Sequence, residues 1–320
     1  MVNRCWSASL FRANLKSAAD AGPAPRVRLE QALAQWPQWR CTPPLPGAPH
    51  VQGTLPGGLS NHNFLVTAAG RDFVVRIDGI SPRQHGLSRQ AEYRALASAA
   101  AAGIAPGPCY FNPELGALVC QYLPADTAQQ VTPADLAALC RRIHRLPRRH
   151  HRFDLDARVR RYCSLLERCA KPLPPARLRA RIERILPQCQ TRNPVLCHND
   201  LLPANLLYSG GRLHALDWEY CAMGNPWFDL AVAGDGQGFS RDDFELFLSA
   251  YLQRQPTADD WQQLALQRLG YRYLELLWHL VQAEAEDIHR VSAQRLPPLE
   301  ALLQADAGHQ TSAAPGEPRP

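Results

Sequence analysis

No run of apolar residues in this chain reaches the roughly 18 needed to cross a bilayer, so no membrane-spanning helix is expected. The ten cysteines include no CxxC pair and no Cys/His ladder at zinc spacing, which excludes a zinc-finger or disulfide-scaffold protein. They read as reduced and mostly buried, and so imply a cytoplasmic setting. The opening stretch MVNRCWSASLFRANLK lacks any acid, and its apolar part is too short and interrupted for a secretory signal. Residues 1–25, ending in Ala-Gly-Pro-Ala-Pro, read as a flexible arm. Arginine dominates from Arg141 to Arg184, but the stretch lacks the aromatic interleaving of a single-strand nucleic-acid binder. It reads as a solvated helical surface, and nucleic acid is disfavoured as a partner.

What is present supports a folded protein. Hydrophobic residues make up 46% of 320, enough for a sizeable core. The net charge is modest: 35 basic against 29 acidic side chains, or +6.

The most informative stretch is VLCHNDLLPANLLYSGGRLHALDWEYCAMGNPWFDL, residues 195–230. Polar residues interrupt apolar runs twice, at His198-Asn199-Asp200 with Asn205, and at Asp217-Trp218-Glu219. Burying so many carboxylates and amides costs roughly several kcal/mol unless they are paired or hold a cation. Taken singly, Asp200 reads as a helix cap, Asn205 as a turn and Asp217 as a strand end. Taken together, Asp200 and Asn205 have the D-x-x-x-x-N spacing of a kinase catalytic loop, and Asp217 ends an apolar strand beyond it. In that pattern Asp200 is the base, and Asn205 and Asp217 are hard oxygen donors suited to magnesium.

On these residues the chain resembles the aminoglycoside phosphotransferase and choline kinase superfamily. CHNDLLPANLL followed by LDWEYCAMGNPWFDLA is closest to its bacterial choline, ethanolamine and thiamine kinase branch. The resemblance runs from about Val51 to about Ala285. It implies an α+β, protein-kinase-like two-lobed fold, with a small antiparallel β-sheet lobe over 26–121 and a larger, mainly helical lobe over 122–304. Residues 305–320 read as a disordered tail. The implied activity is ATP- and magnesium-dependent transfer of phosphate to the hydroxyl of a small, cationic metabolite of choline, ethanolamine or thiamine type. An aminoglycoside or sugar phosphotransferase is the alternative within the enzymes. A non-catalytic module using the Arg-rich face is the alternative outside them, disfavoured because Asp200, Asn205 and Asp217 are all present.

The resemblance also assigns roles elsewhere. The turn Gly57-Gly58-Leu59-Ser60-Asn61, between strands at 51–55 and 63–67, would cover nucleotide phosphates through its backbone, with Gly58, Ser60 and Asn61 closest. A third strand, 72–77, carries Arg76, which would clamp phosphate oxygens. Glu92, in the helix SRQAEYRALASAAAAG, would orient Arg76. After a hairpin at 108–121, the backbones of Gln121 and Leu123 would read adenine. His198 and Asp229 would support the catalytic loop. Tyr271, Tyr273 and Trp278 are candidate walls for a cationic substrate by cation–π contact. Where choline kinases commonly have a second tryptophan, this chain has Glu275. That favours a substrate with an amine or hydroxyl for Glu275 to bond. Asp235 and Glu219 are further candidate acids. Thr132 caps a helix at 133–144. Helices are expected at about 156–170, 176–187, 242–252 and 258–269, and from Tyr271 to about Ile288.

Overall fold

Alternation along Phe73-Val74-Val75-Arg76-Ile77 sends successive side chains to opposite faces of a sheet. In the computed structural model, which describes residues 24–55 and 61–312, this segment is the centre of a five-stranded antiparallel sheet. The strands are β1 (His50–Leu55), β2 (Asn61–Ala68), β3 (Arg71–Asp78), β4 (Pro108–Asn112) and β5 (Ala117–Gln121), in the order β1-β2-β3-β5-β4. Phe73, Val75 and Ile77 bury one face together with Trp39, Tyr110 and Leu29 of α1 (Pro25–Ala34). Trp39 meets Phe73 edge-on, with ring centroids 5.6 Å apart. Arg76 and Asp78 point to the opposite face.

Helix α2 (Arg89–Ala101) starts at Ser88, whose hydroxyl accepts from the Ala91 N–H at 3.3 Å. Its alanines Ala95 and Ala99 are fully buried. Helix α3 (Pro133–His144) starts at the expected cap, with Thr132 and Asp135 forming a capping box. Three short strands follow in this part of the chain: β6 (Val195–Cys197), β7 (Leu206–Ser209) and β8 (Arg212–Ala215). Gly210 and Gly211 join β7 to β8 with φ of 57° and 70°, where a side chain would be strained. Strand β9 (Ala222–Gly224) pairs with β6. These segments belong to one compact unit, Met1–Arg152 with Val195–Met223.

The second unit is Phe153–Pro194 with Gly224–Pro320. Its described secondary structure is helical: α4 (Leu155–Arg168), α5 (Ala176–Ile185), α6 (Pro226–Gln237), α7 (Arg241–Leu252), α8 (Ala258–Gln282) and α9 (Ile288–Ser312). One expectation needs correcting. The helices expected at 258–269 and from Tyr271 are one unbroken α8. Gly270 does not end a helix; a Cβ there would lie 2.5 Å from Leu155 Cδ2, so glycine lets α4 and α8 approach closely. Helix α9 runs to Ser312.

Some arginines of the 141–184 stretch are bonded within their own unit, while others, such as Arg160, are exposed. Arg142 donates to the Ala102 carbonyl, and Arg149 to Ser98 Oγ. In the second unit Arg181 donates to the Leu303 carbonyl and Arg158 lies over the Phe153 ring.

Candidate active site

The sequence from His198 to Asp217 folds back on itself through β7 and β8. Asn205 bonds Asp200 twice with its amide nitrogen, at 2.8 Å to Oδ2 and 2.9 Å to the backbone carbonyl. That leaves the Asn205 side-chain oxygen as its acceptor end. The Leu216 N–H donates to the Asn205 carbonyl at 2.8 Å. His198 Nε2 lies 2.9 Å from the Leu216 carbonyl and donates to it. The His198 ring also packs edge-on to Trp218, at 4.8 Å between centroids. So Leu216, directly before Asp217, is gripped on both sides by the Asp200 loop. Asn199 and Asp217 both have left-handed backbone, with φ of 65° and 54°. Among non-glycine residues, Asn and Asp are those that adopt it most readily.

Asp217 opens onto a buried ionic cluster. Arg76 forms a two-pronged pair with Glu92, one prong of which is Nη2 to Oε2 at 2.9 Å. Arg76 Nη1 also reaches Asp217 Oδ1 at 3.2 Å. The Arg76–Glu92 pairing expected from the sequence is therefore present, and Asp217 joins it. Burial alone would raise the Glu92 carboxyl, but Arg76 and Arg89 outweigh it and hold it below its ordinary range. Asp217 goes the other way: burial first, then Glu219, push it up to about 7.

Arg89 is the residue that the sequence reading missed. It meets Asp78 at 2.8 and 3.0 Å, Glu92 at 2.9 Å and Glu219 at 3.0 Å. Asn61 Nδ2 donates to Glu219 at 3.0 Å. Two signals were available. Arg89 and Glu92 stand at i,i+3, and a cation in the first turn of a helix opposes its dipole unless an acid compensates. Asp78 shares the face of Arg76 by strand alternation. Four carboxylates, Asp78, Glu92, Asp217 and Glu219, thus surround two guanidiniums. A surplus of negative charge in a buried cluster is the environment that a divalent cation relieves. Among the candidates, Asp217 and Asn205 have the hard oxygen donors for it.

The profile of the phosphotransferase enzyme family (APH) matches residues 51–267, more than half of the chain. The chain belongs to this family.

Within the phosphotransferase enzyme family, the chain is 28% identical to Protein LicA of Haemophilus influenzae over 210 residues, 61% of either protein. It is 30% identical to Thiamine kinase of Escherichia coli O1:K1 / APEC over 187 residues, 57% of this chain and 65% of that one. The matched part spans less than two thirds of either relative. Among solved structures, a choline/ethanolamine kinase family protein from Mesorhizobium loti aligns with a TM-score of 0.65 and 23% identity, over 86% of this chain and 95% of that one. Choline kinase LicA from Streptococcus pneumoniae aligns with a TM-score of 0.66 and 22% identity, over 80% and 95%. The fold of this phosphotransferase family member is therefore kinase-like.

The remaining candidates lie as follows. Gly58 and Ser60 fall outside the described residues. Asn61 is the first residue of β2 rather than part of the turn, and its side chain joins the ionic cluster. Gln121 donates its N–H to the Gly107 carbonyl, and Tyr122 to Asp72, which fixes the chain just before Leu123. Glu219 is 3% exposed and committed to Arg89 and Asn61. In the second unit, Asp229 is fully buried in the first turn of α6. Both Asp235 oxygens are taken, by Arg268 Nε at 2.7 Å and Arg272 Nε at 2.8 Å. Glu275 is held by Arg272 at 3.1 Å and by Arg295. Tyr271 is buried edge-on to Phe228, and Tyr273 is buried beside Cys163. Trp278 meets the ring of His279 at 4.9 Å. Burial and then Arg295 push His279 down to about 4, so it is neutral near pH 7.

Proposed function

We propose that this chain is a small-molecule kinase, transferring the γ-phosphate of ATP to a hydroxyl with the help of magnesium. The observation that carries the reading is the joining of Asp200, Asn205 and Asp217 to the Arg76–Glu92 pair within one compact unit. Asp200 orients the acceptor hydroxyl and takes its proton. Asn205 steadies that carboxylate with its amide nitrogen. Asn205 and Asp217 would hold magnesium, which would neutralise charge at the phosphate oxygens. Arg76, kept in place by Glu92, grips phosphate oxygens with a planar fork of donors. A cytoplasmic setting, inferred from the cysteine pattern, is part of the same proposal.

Choline, ethanolamine and thiamine are the first acceptors to test, supported by the names of the relatives and by the residue 195–230 resemblance. The experiment is a coupled ADP-release screen with ATP and magnesium across these three, several aminoglycosides and a few sugars. Asp200→Ala should lose transfer by about 100-fold or more while ATP binding stays close to wild type. Near-full activity in Asp200→Ala would overturn the assignment. ATP binding with silence across the panel would move the acceptor outside these classes.

A further inference from the structure

The second unit contains a cavity unrelated to Asp200, Asn205 and Asp217. It measures about 200 Å³ and lies among α7, α8 and the end of α6. Phe239, Phe244, Trp261 and Leu264 form its apolar walls, and Arg241 and Arg268 its polar ones. No carboxylate lines it.

The walls are fixed by packing. Phe244 sits against Gly234 of α6 so closely that a Cβ there would lie 2.2 Å from its ring. Phe239 meets Phe244 edge-on at 5.8 Å. These rings cannot collapse into the space without disturbing the α6–α7 contact.

The two arginines have donors to spare. A guanidinium carries five N–H donors. Arg268 spends its Nε on Asp235, while its carbon lies 4.8 Å from the Phe244 centroid. Its terminal nitrogens have no protein acceptor among the described residues. The Arg241 guanidinium carbon lies over Trp261, 3.3 Å from the ring centroid, with no carboxylate partner among the described residues. It also sits at the start of α7, where the helix dipole opposes a cation.

We infer that this cavity binds a small organic anion: a carboxylate or phosphate carried on a flat, apolar body of about one ring. The ring fills the aromatic walls, and the anionic head takes the unspent donors of Arg268 and Arg241. The volume is on the scale of one ring, since an enclosed apolar cavity of about 150 Å³ accommodates benzene, and this pocket is open to solvent on the side of Arg241. Inorganic phosphate leaves the walls unfilled, and a cation is repelled. The inference is independent of the kinase reading.

The test is calorimetric titration of the full chain with benzoate, phenyl phosphate, inorganic phosphate and benzylamine at millimolar concentrations. The variants are Arg241→Gln, Arg268→Gln and Asp217→Asn. Benzoate or phenyl phosphate should bind saturably and at least about tenfold more tightly than inorganic phosphate or benzylamine. Either arginine substitution should weaken binding about tenfold, the scale of one lost charge-assisted hydrogen bond. Asp217→Asn should leave it unchanged. Arg241 is exposed, so its variant keeps the test valid if Arg268→Gln misfolds. Three results would each overturn the inference: no saturable binding, equal binding of benzylamine, or binding that ignores the arginines and follows Asp217.

Discussion

Replacing Arg89 by methionine removes the guanidinium that three carboxylates share, while keeping a side chain of similar length. Arg89 is 7% exposed, and its contacts to Asp78, Glu92 and Glu219 all fall between 2.8 and 3.0 Å. The variant leaves three buried carboxylates, Asp78, Glu92 and Glu219, and the half-buried Asp217 around Arg76 alone. Removing one partner of a buried ion pair costs about 3–5 kcal/mol. Two retained contacts, Arg76 to Glu92 and Asn61 to Glu219, place the expected loss near the lower end, about 3 kcal/mol. That is roughly a hundredfold in the unfolding equilibrium of the first unit. Urea denaturation followed by tryptophan fluorescence reads it as a lowered midpoint. The deficit should shrink as pH falls through the carboxylate range, because protonation then removes the unpaired charges. Arg160→Ala is the control. Its pair with Asp156 is exposed, 67% and 35%, and should be worth about 0.2–0.5 kcal/mol. A loss below about 1 kcal/mol for Arg89→Met, or one that does not depend on pH, would refute the charge-balance reasoning.

Other predictions follow from single residues. Asp217 has its carboxyl raised from 3.8 to about 7, so its contribution to folding is complete below the ordinary value and is lost as pH rises through 7. Asp217→Asn should therefore gain stability on wild type between about pH 5 and pH 8 in magnesium-free buffer, as denaturation midpoints at both pH values would show. An unchanged gap between the two proteins would mean that Asp217 titrates normally. Gly270→Ala should destabilise the second unit by about 1–2 kcal/mol, because overpacking against Leu155 outweighs the helix-propensity gain. Pairing it with Leu155→Ala should recover part of the loss in the same urea assay.

The grouping of Asp200, Asn205 and Asp217 was legible in the sequence because it is local: all three lie within one short stretch, and the structure bonds Asn205 to Asp200 and Asp217 to Arg76. The sheet was legible for the same reason, since alternation over 71–78 needs no distant partner. Arg89 was not, because one of its partners, Glu219, is 130 residues away and its demand for charge appears only once β3 and α2 meet. The acids Asp235 and Glu275 were read as open to a cationic substrate. Arginines already neutralise them, and the helical spacing of Arg268, Arg272 and Glu275 along one face of α8 carried that signal. Gly270 was misjudged because a glycine inside a helical pattern can mark a stop or a close approach. The choice depends on Leu155, far away in the chain.

The grip on Leu216 has a consequence for motion. Its N–H and its carbonyl are both bonded to the Asp200 loop, so the two peptide groups flanking Leu216 tie Asp217 to that loop. The backbone of the two acids is tied together at folding. On the proposed kinase reading, the entropy of that ordering is lost once, when the chain folds, and not again in each turnover.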